Sequence, residues 1–348
     1  MGNATAGRTS NPCPFDRKGT KVQKLIKAAA ILAATIITAI SLTACATSSS
    51  QAAEITVVVH DSVSISKELL TSFTKQTGVV VHLLKAGDAG AMTNKLVLTK
   101  DAPIGDAVYG IDNTFASLAT KNGVIDGDLT AIDYGDVCMN YDKTWFATNE
   151  QAAPSSIKDL IKPEFDGLTV IENPTTSSVG LAFLTATISA FGDSGWQGYW
   201  SSLKKNNVKV VSSWEDAYYT HFSGSSGKGK YPIVLSYSSS PADEVRDNGE
   251  SQTEALLDAC YRQTEYAGVL AGAKNKAFAD LFVKFLRSAE FQVSLPGSMY
   301  VYPVIDSVKL PESWAQFAPT TDTPIGGDLD VNTNREAWLK AWSAIFAG

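Results

Sequence analysis

Histidine and cysteine are scarce in this chain: three histidines (His60, His82, His221) and four cysteines in 348 residues. A metal cluster built from closely spaced His and Cys has little to draw on. Basic charge is thin as well, with 29 Lys and Arg against 36 Asp and Glu and a net charge of −7. The first 45 residues hold six of those bases (Arg8, Arg17, Lys18, Lys21, Lys24, Lys27) and one acid, Asp16, so the rest carries −12. An acidic body without a basic stripe excludes nucleic acid as a natural partner. Catalytic signatures are missing too: no Gly-x-Ser-x-Gly elbow, His-Glu-x-x-His or Cys-x-x-Cys occurs. Apolar residues are not lacking. At 44% they suffice for a folded core, and the length fits two domains or lobes.

The longest apolar run, AAAILAATIITAISL over 28–42, is shorter than the roughly 20 residues a spanning helix needs. Lys21, Lys24 and Lys27 precede it and small residues follow, the pattern of a secretory signal over 1–44. The ending Leu42-Thr43-Ala44-Cys45 resembles a bacterial lipobox. That implies cleavage before Cys45, lipid on its thiol and a membrane-anchored, extracytoplasmic location. An ordinary signal with an incidental cysteine is the alternative. Residues 45–53 are small and polar and read as a flexible tether. Export places Cys138 and Cys260 in an oxidising space, which suggests one disulfide. Two separate buried thiols are the alternative.

Along the body, strands and helices alternate. Residues 55–59, 79–84 and 107–111 read as β-branched strands, with helical patterns between them. Asp61, Ser62 and Ser64 can cap the first helix, and Gly78 can stop it. The alternation resumes with strands over 168–171, 208–211 and 233–236 and helices over 156–161, 179–191, 196–203 and 214–222. Strand-like stretches over 138–141 and 261–270 bracket this middle block, and an apolar helix follows over 277–295. Such alternation predicts an α/β fold of mostly parallel sheets flanked by helices. The expected lobes are 54–137 plus 265–348, and 138–264, with a cleft between them. An exported, tethered protein of this shape without catalytic apparatus reads as a solute receptor, not an enzyme. No cofactor is expected.

Ligands of open α/β sheets bind beyond the strand ends. Three loops there carry hydroxyls and aromatics. NPTTSSVG (173–180) offers Ser177 and Ser178 beside helix amides, or simply caps the helix. SYSSSP (236–241) presents Tyr237, Ser238, Ser239, Ser240 and Pro241. MYVYPV (299–304) presents Tyr300 and Tyr302. Trp214 opens a helix directly after a strand, whereas Trp196, Trp200, Trp338 and Trp342 have the spacing of core residues. Asp88, in AGDAG (86–90), stands either as an acceptor for a cation or as the cap of its own helix. With Asp61 and Asp112 it completes a set of π faces, hydroxyls and carboxylates without Lys or Arg. That chemistry suits a flat aromatic cation.

Several segments, in order, resemble the periplasmic thiamine-binding proteins, the solute receptors of thiamine ABC transporters. They are TVVVHDS (56–62), GIDN (110–113), DYGDVCMNYDK (133–143), NPTTSSVGLAFL (173–184), WEDAYY (214–219), VLSYSSSPADE (234–244) and YVYPV (300–304). The resemblance implies a two-lobed type II periplasmic-binding fold. It implies thiamine or its phosphates as ligand, permease subunits as partners and a monomeric receptor. It carries binding positions onto Asp88 and Ala89, Ser177 and Ser178, Trp214, and Tyr237 to Pro241. His60 stands where an aromatic is expected, Tyr300 where a Trp is expected, and Thr175 where a basic residue is expected. A ferric-iron receptor of the same fold, using the adjacent Tyr218 and Tyr219, is the runner-up, and a secreted hydrolase comes third. No metal ligand set is assigned.

Overall fold

The computed structural model describes residues 52–226 and 229–347. The signal over 1–44, Cys45 and most of the tether lie outside the described residues.

The β-branched runs form strands because Val, Ile and Thr pack well on a pleated surface. The chain begins with β1 (Ala53–Val59), α1 (Lys67–Thr77), β2 (Val79–Lys85), α2 (Ala89–Leu98), β3 (Ala107–Asp112) and α3 (Ala116–Lys121). The cap of α1 is Ser66, whose hydroxyl accepts from the Leu69 amide, not the earlier Asp61, Ser62 or Ser64. Gly78 ends the helix at a φ of 74°. Next come β4 (Thr130–Asp142), α4 (Lys143–Thr148), β5 (Thr169–Glu172), α5 (Ser178–Lys205) and β6 (Lys209–Val211). The two helices expected over 179–191 and 196–203 are both present within α5, divided at Gly192, whose backbone is not helical at a φ of 68°. After β7 (Ile233–Tyr237) and β8 (Thr253–Val269), the apolar stretch 277–295 divides into α6 (Lys276–Leu286) and α7 (Ala289–Ser298). Ser288 caps the Phe291 amide and so starts a new helix where one continuous helix was expected. The chain closes with β9 (Tyr302–Pro303), α8 (Trp314–Phe317) and α9 (Val331–Phe346).

Among the described residues the strands form one sheet in the order β2-β1-β3-β8-β4-β7-β5-β6, with β9 beside β4. Two parallel triplets, β2-β1-β3 and β7-β5-β6, flank the long antiparallel pair β8-β4. The expected lobe boundaries fall inside these two long strands. Phe73, Phe282 and Phe285 pack together on one face of the first triplet, with Phe73 edge-on to Phe282, while Met92, Leu96 and Phe115 fill its other face. Trp196, Trp200 and Trp342 are buried, with Trp200 against Trp342 at 5.7 Å.

The β4–β8 register slips between Val137↔Tyr261 and Met139↔Leu256. At that irregularity Cys138 and Cys260 are joined by a disulfide, with Cα atoms 4.6 Å apart. Arg262 grips Asp136 two residues on, through two bonds of 2.8 and 2.9 Å. Among the described residues no helix is long and apolar enough to cross a membrane.

Candidate functional site

The ends of the strands bring the expected residues together. His60 follows β1, Asp88 and Ala89 open α2, Ser178 opens α5, and Trp214 follows β6. Tyr237 ends β7, and Tyr300 precedes β9. All of these, together with Ser240, line one cavity of about 760 Å³, its open mouth included.

Asp88 does not bond its own helix. Its carboxylate accepts instead from the Trp214 amide at 2.9 Å and the Ser178 amide at 3.3 Å. The loops meet closely here: the Ala91 amide donates to the Thr176 carbonyl at 2.8 Å. A Cβ on Gly90 would come within 2.7 Å of that carbonyl, so glycine is needed for the approach. Burial raises the Asp88 carboxyl from its ordinary range; the Trp214 amide, the His60 charge and the Ser177 hydroxyl pull the other way. Ser177 itself is buried and caps Gly180 at 3.5 Å.

Trp214 donates its indole N–H to the Ser236 hydroxyl at 2.9 Å. Its ring stacks on Tyr218 at 5.0 Å and meets Tyr219 edge-on at 5.3 Å. The Tyr237 hydroxyl donates to Gln263 at 2.7 Å, and Gln263 donates in turn to Ser178 and Asp112. A Cβ on Gly135 would reach 2.8 Å from the Tyr237 ring, so the bare backbone of β4 gives that ring its seat. The serine loop is largely occupied with itself. Ser240 pairs with Ser236 at 2.7 Å, Ser239 donates to the Tyr300 carbonyl at 2.5 Å, and the Pro241 carbonyl accepts from Ser251. Ser238 is buried. Of the expected serine loop, then, Tyr237 and Ser240 reach the cavity, while Ser238, Ser239 and Pro241 do not line it. Tyr300 lines it with a φ of 55°, a left-handed backbone that a bulky residue adopts only under local constraint.

The acidic set differs from the expectation. Asp61 bonds the Gly87 amide and Asp112 bonds Thr114 and Gln263; neither lines the cavity. Glu265 and Asp243 do, alongside Asp88. Register explains Glu265: Asp112, Glu265 and Asp133 are direct neighbours across β3, β8 and β4. The middle carboxylate holds His60 at 3.2 Å. Burial alone would lower the His60 pKa, but Glu265, with Asp88 and Asp133 behind it, raises it from 6.5 to about 9. Burial, then the Glu265 charge, lifts Asp133 well above the carboxylate range, and burial raises Asp112 to about 6. Glu172, at the end of β5, is fully buried with both side-chain oxygens unpartnered, and burial, then the Asp88 charge, raises its carboxyl well above the ordinary range.

The pair His60–Glu265 gives a pH signature. Because the folded His60 pKa is raised, its stabilising contribution is complete below about pH 6.5 and is lost as pH rises through about 9. The full effect is on the order of 3 kcal/mol. Thermal melts from pH 6 to 10 should therefore fall more steeply in the wild type than in His60→Gln. Parallel curves would contradict the ion pair.

The rings of Tyr218 and Tyr219, the adjacent tyrosines, meet edge-on, with centroids 5.3 Å apart and planes at 89°. Tyr218 donates to Glu244 at 3.1 Å, and burial raises both phenols, Tyr219 to about 12. Both rings wall the cavity. Glu265, Asp243, Tyr218 and Tyr219 are thus members of the wall that the binding positions expected from sequence do not include. Of these, Glu265 has no sequence signal of its own, because β8 also carries Glu254, Asp258 and Arg262.

The fold and this cleft define a receptor built around a pocket beyond the strand ends. The family described as bacterial extracellular solute-binding protein matches residues 106–322, more than half of the chain. The chain belongs to that family. It is 27% identical over 283 residues to a thiamine-binding periplasmic protein of Escherichia coli, covering 75% of this chain and 83% of that protein. The protein of that name from Haemophilus influenzae is 29% identical, covering 73% and 79%. Among solved structures, a periplasmic thiamin binding protein superposes with a TM-score of 0.72 at 24% identity, covering 84% of this chain and 96% of the other. Iron-bound HitA from Pseudomonas aeruginosa shares the fold at a TM-score of 0.65 and 16% identity, covering 84% and 99%.

Proposed function

We propose that this protein is an extracytoplasmic receptor that captures thiamine in the cleft and delivers it to an ABC permease. The observation that carries the reading is the composition of the cavity wall. It sets Trp214, Tyr219, Tyr237 and Tyr300 beside Asp88, Asp243 and Glu265, with no lysine or arginine among the described lining residues. Thiamine offers a flat, permanently cationic thiazolium and an aminopyrimidine with amine donors. Aromatic faces attract such a cation by about 0.5–2 kcal/mol each, and carboxylates accept from the amine. The relatives' names support the same ligand.

In this reading the protein acts as a monomer without enzymatic activity or cofactor. The two lobes, 54–137 with 265–348 and 138–264, close on the ligand about β4 and β8. Cys45 carries the lipid that holds it at the membrane, since two or more acyl chains anchor stably. Cys45→Ala should move the protein from the detergent phase to the aqueous phase of a phase-separation assay. An aqueous wild type would remove the anchor. The ligand is tested by titration calorimetry of the mature protein with thiamine and with ferric citrate. One thiamine per chain is expected; heat from ferric citrate alone would transfer the site to iron.

A further inference from the structure

We propose that the groove between α3 and α9 is a second binding site, separate from the cleft, for a phosphate-type oxyanion, and that Arg335 is the residue that holds it.

Arg335 lies in the second turn of α9 and is 8% exposed, the only buried arginine among the described residues. The other described arginines are all engaged. Arg246 donates to Gln252, Arg262 to Asp136 and Arg287 to the Ala131 carbonyl. Arg335 has no hydrogen-bond or ion-pair partner among the described residues. Its guanidinium lies over the Phe115 ring, 5.2 Å from the centroid. A ring face offsets part of the charge but accepts none of the five N–H donors in the guanidinium plane. Burial lowers the Arg335 pKa from its ordinary value, and the charges of Glu336 and Asp112 do not make up the difference. A buried cation left in this state is costly until a hydrogen-bonded anion reaches it.

The groove that Arg335 enters has a volume of about 710 Å³ and is lined also by Ser117, Lys121, Asn122 and Thr333. Lys121 brings a second positive charge, with one of its three donors on the Asn332 carbonyl at 3.3 Å. Two acids stand close by. Asp330 is occupied as the cap of α9, accepting from the Thr333 amide at 3.1 Å, so the side chains and not the helix amides make this site. Glu336 also lines the groove, but it is exposed and its helix position points about 100° away from that of Arg335. A guanidinium fork beside an ammonium fits a phosphate, with two parallel N–H···O bonds from the one and a point charge from the other. The groove shares no lining residue with the cleft, so the site does not depend on what the cleft binds.

The oxyanion has two possible sources, phosphate in solution and a phospholipid headgroup. Nitrogen-15 spectra of the mature protein, recorded at constant ionic strength as inorganic phosphate is added, read the Arg335 Nε–H directly; Arg335→Lys identifies that resonance by its loss. In the wild type it should shift and saturate, and the melting temperature should rise by at least about 2 °C near saturation. Arg335→Lys keeps a charge but not the fork, and should weaken the thermal response at least tenfold in phosphate concentration. Lys121→Gln, at an exposed position, should weaken both responses and keeps the test decisive if Arg335→Lys does not fold. A response to phosphatidylglycerol vesicles but not to free phosphate, weakened in Lys121→Gln, would support the same site with a lipid as its source. No shift of the Arg335 resonance with either probe would overturn the proposal. So would equal responses in the wild type and both variants, which would mark a general salt effect.

Discussion

Removing the Cys138–Cys260 disulfide, by Cys138→Ala with Cys260→Ala, should lower the stability of the folded protein by about 2–5 kcal/mol. The bridge spans 122 residues of chain, so its loss frees a long loop in the unfolded state. The site adds to the effect. The two cysteines lie where the β4–β8 ladder loses register, so nearby hydrogen bonds hold the strands less well than elsewhere. Both residues are buried, and two alanines there would also leave a small void. Urea unfolding of the mature protein, oxidised and reduced, measures this directly. The midpoint should drop with little change in thiamine affinity at low urea. An unfolding free energy within about 0.5 kcal/mol of the oxidised protein's would mean that the strand pairing alone holds the centre of the sheet.

Trp214→Ala should weaken thiamine binding by ten- to a hundredfold, about 1.4–2.8 kcal/mol. The ring lines the cavity, and its position is set twice, by the stack on Tyr218 and by the bond to Ser236. An aromatic held this way contributes without first having to be ordered, which is where pre-organisation gains affinity. Truncation also removes a partner of Tyr218, so some loss of stability will accompany the loss of binding. Trp214→Phe separates the two. It keeps a ring against Tyr218 but loses the indole donor, and should recover most of the stability and part of the affinity. Equal affinity in wild type and a folded Trp214→Ala would return the ring to a packing role.

Much of this site is readable from single residues because the chemistry is local to loops. Asp88 and Trp214 follow strands, Tyr237 ends one and Tyr300 precedes one, and strand ends converge on a cleft in an open α/β sheet. Glu265 and Asp133 are harder to see. Each lies inside a long strand, and they become neighbours only through the register of β8 against β4. One sequence does not specify that register. The same irregularity hides the length of β4 and β8, of which the sequence shows only the strand-like stretches 138–141 and 261–270. Asp88 is a different case. Its place before a helix suggests capping, and it does cap, but it bonds amides 90 and 126 residues away instead of its own. The division between α6 and α7 was signalled by Ser288 and masked by the apolar residues on both sides.

The central claim is that thiamine occupies this cavity, held by aromatic faces and carboxylates. A crystal structure of the mature protein grown with thiamine tests it most directly. The account expects one thiamine between the two sets of strand ends, a ring within stacking distance of Trp214 or Tyr300, and the thiazolium nearer to Asp88, Asp243 or Glu265 than to any lysine or arginine. An empty cavity under saturating thiamine would contradict it, as would a metal ion bound by the Tyr218 and Tyr219 oxygens.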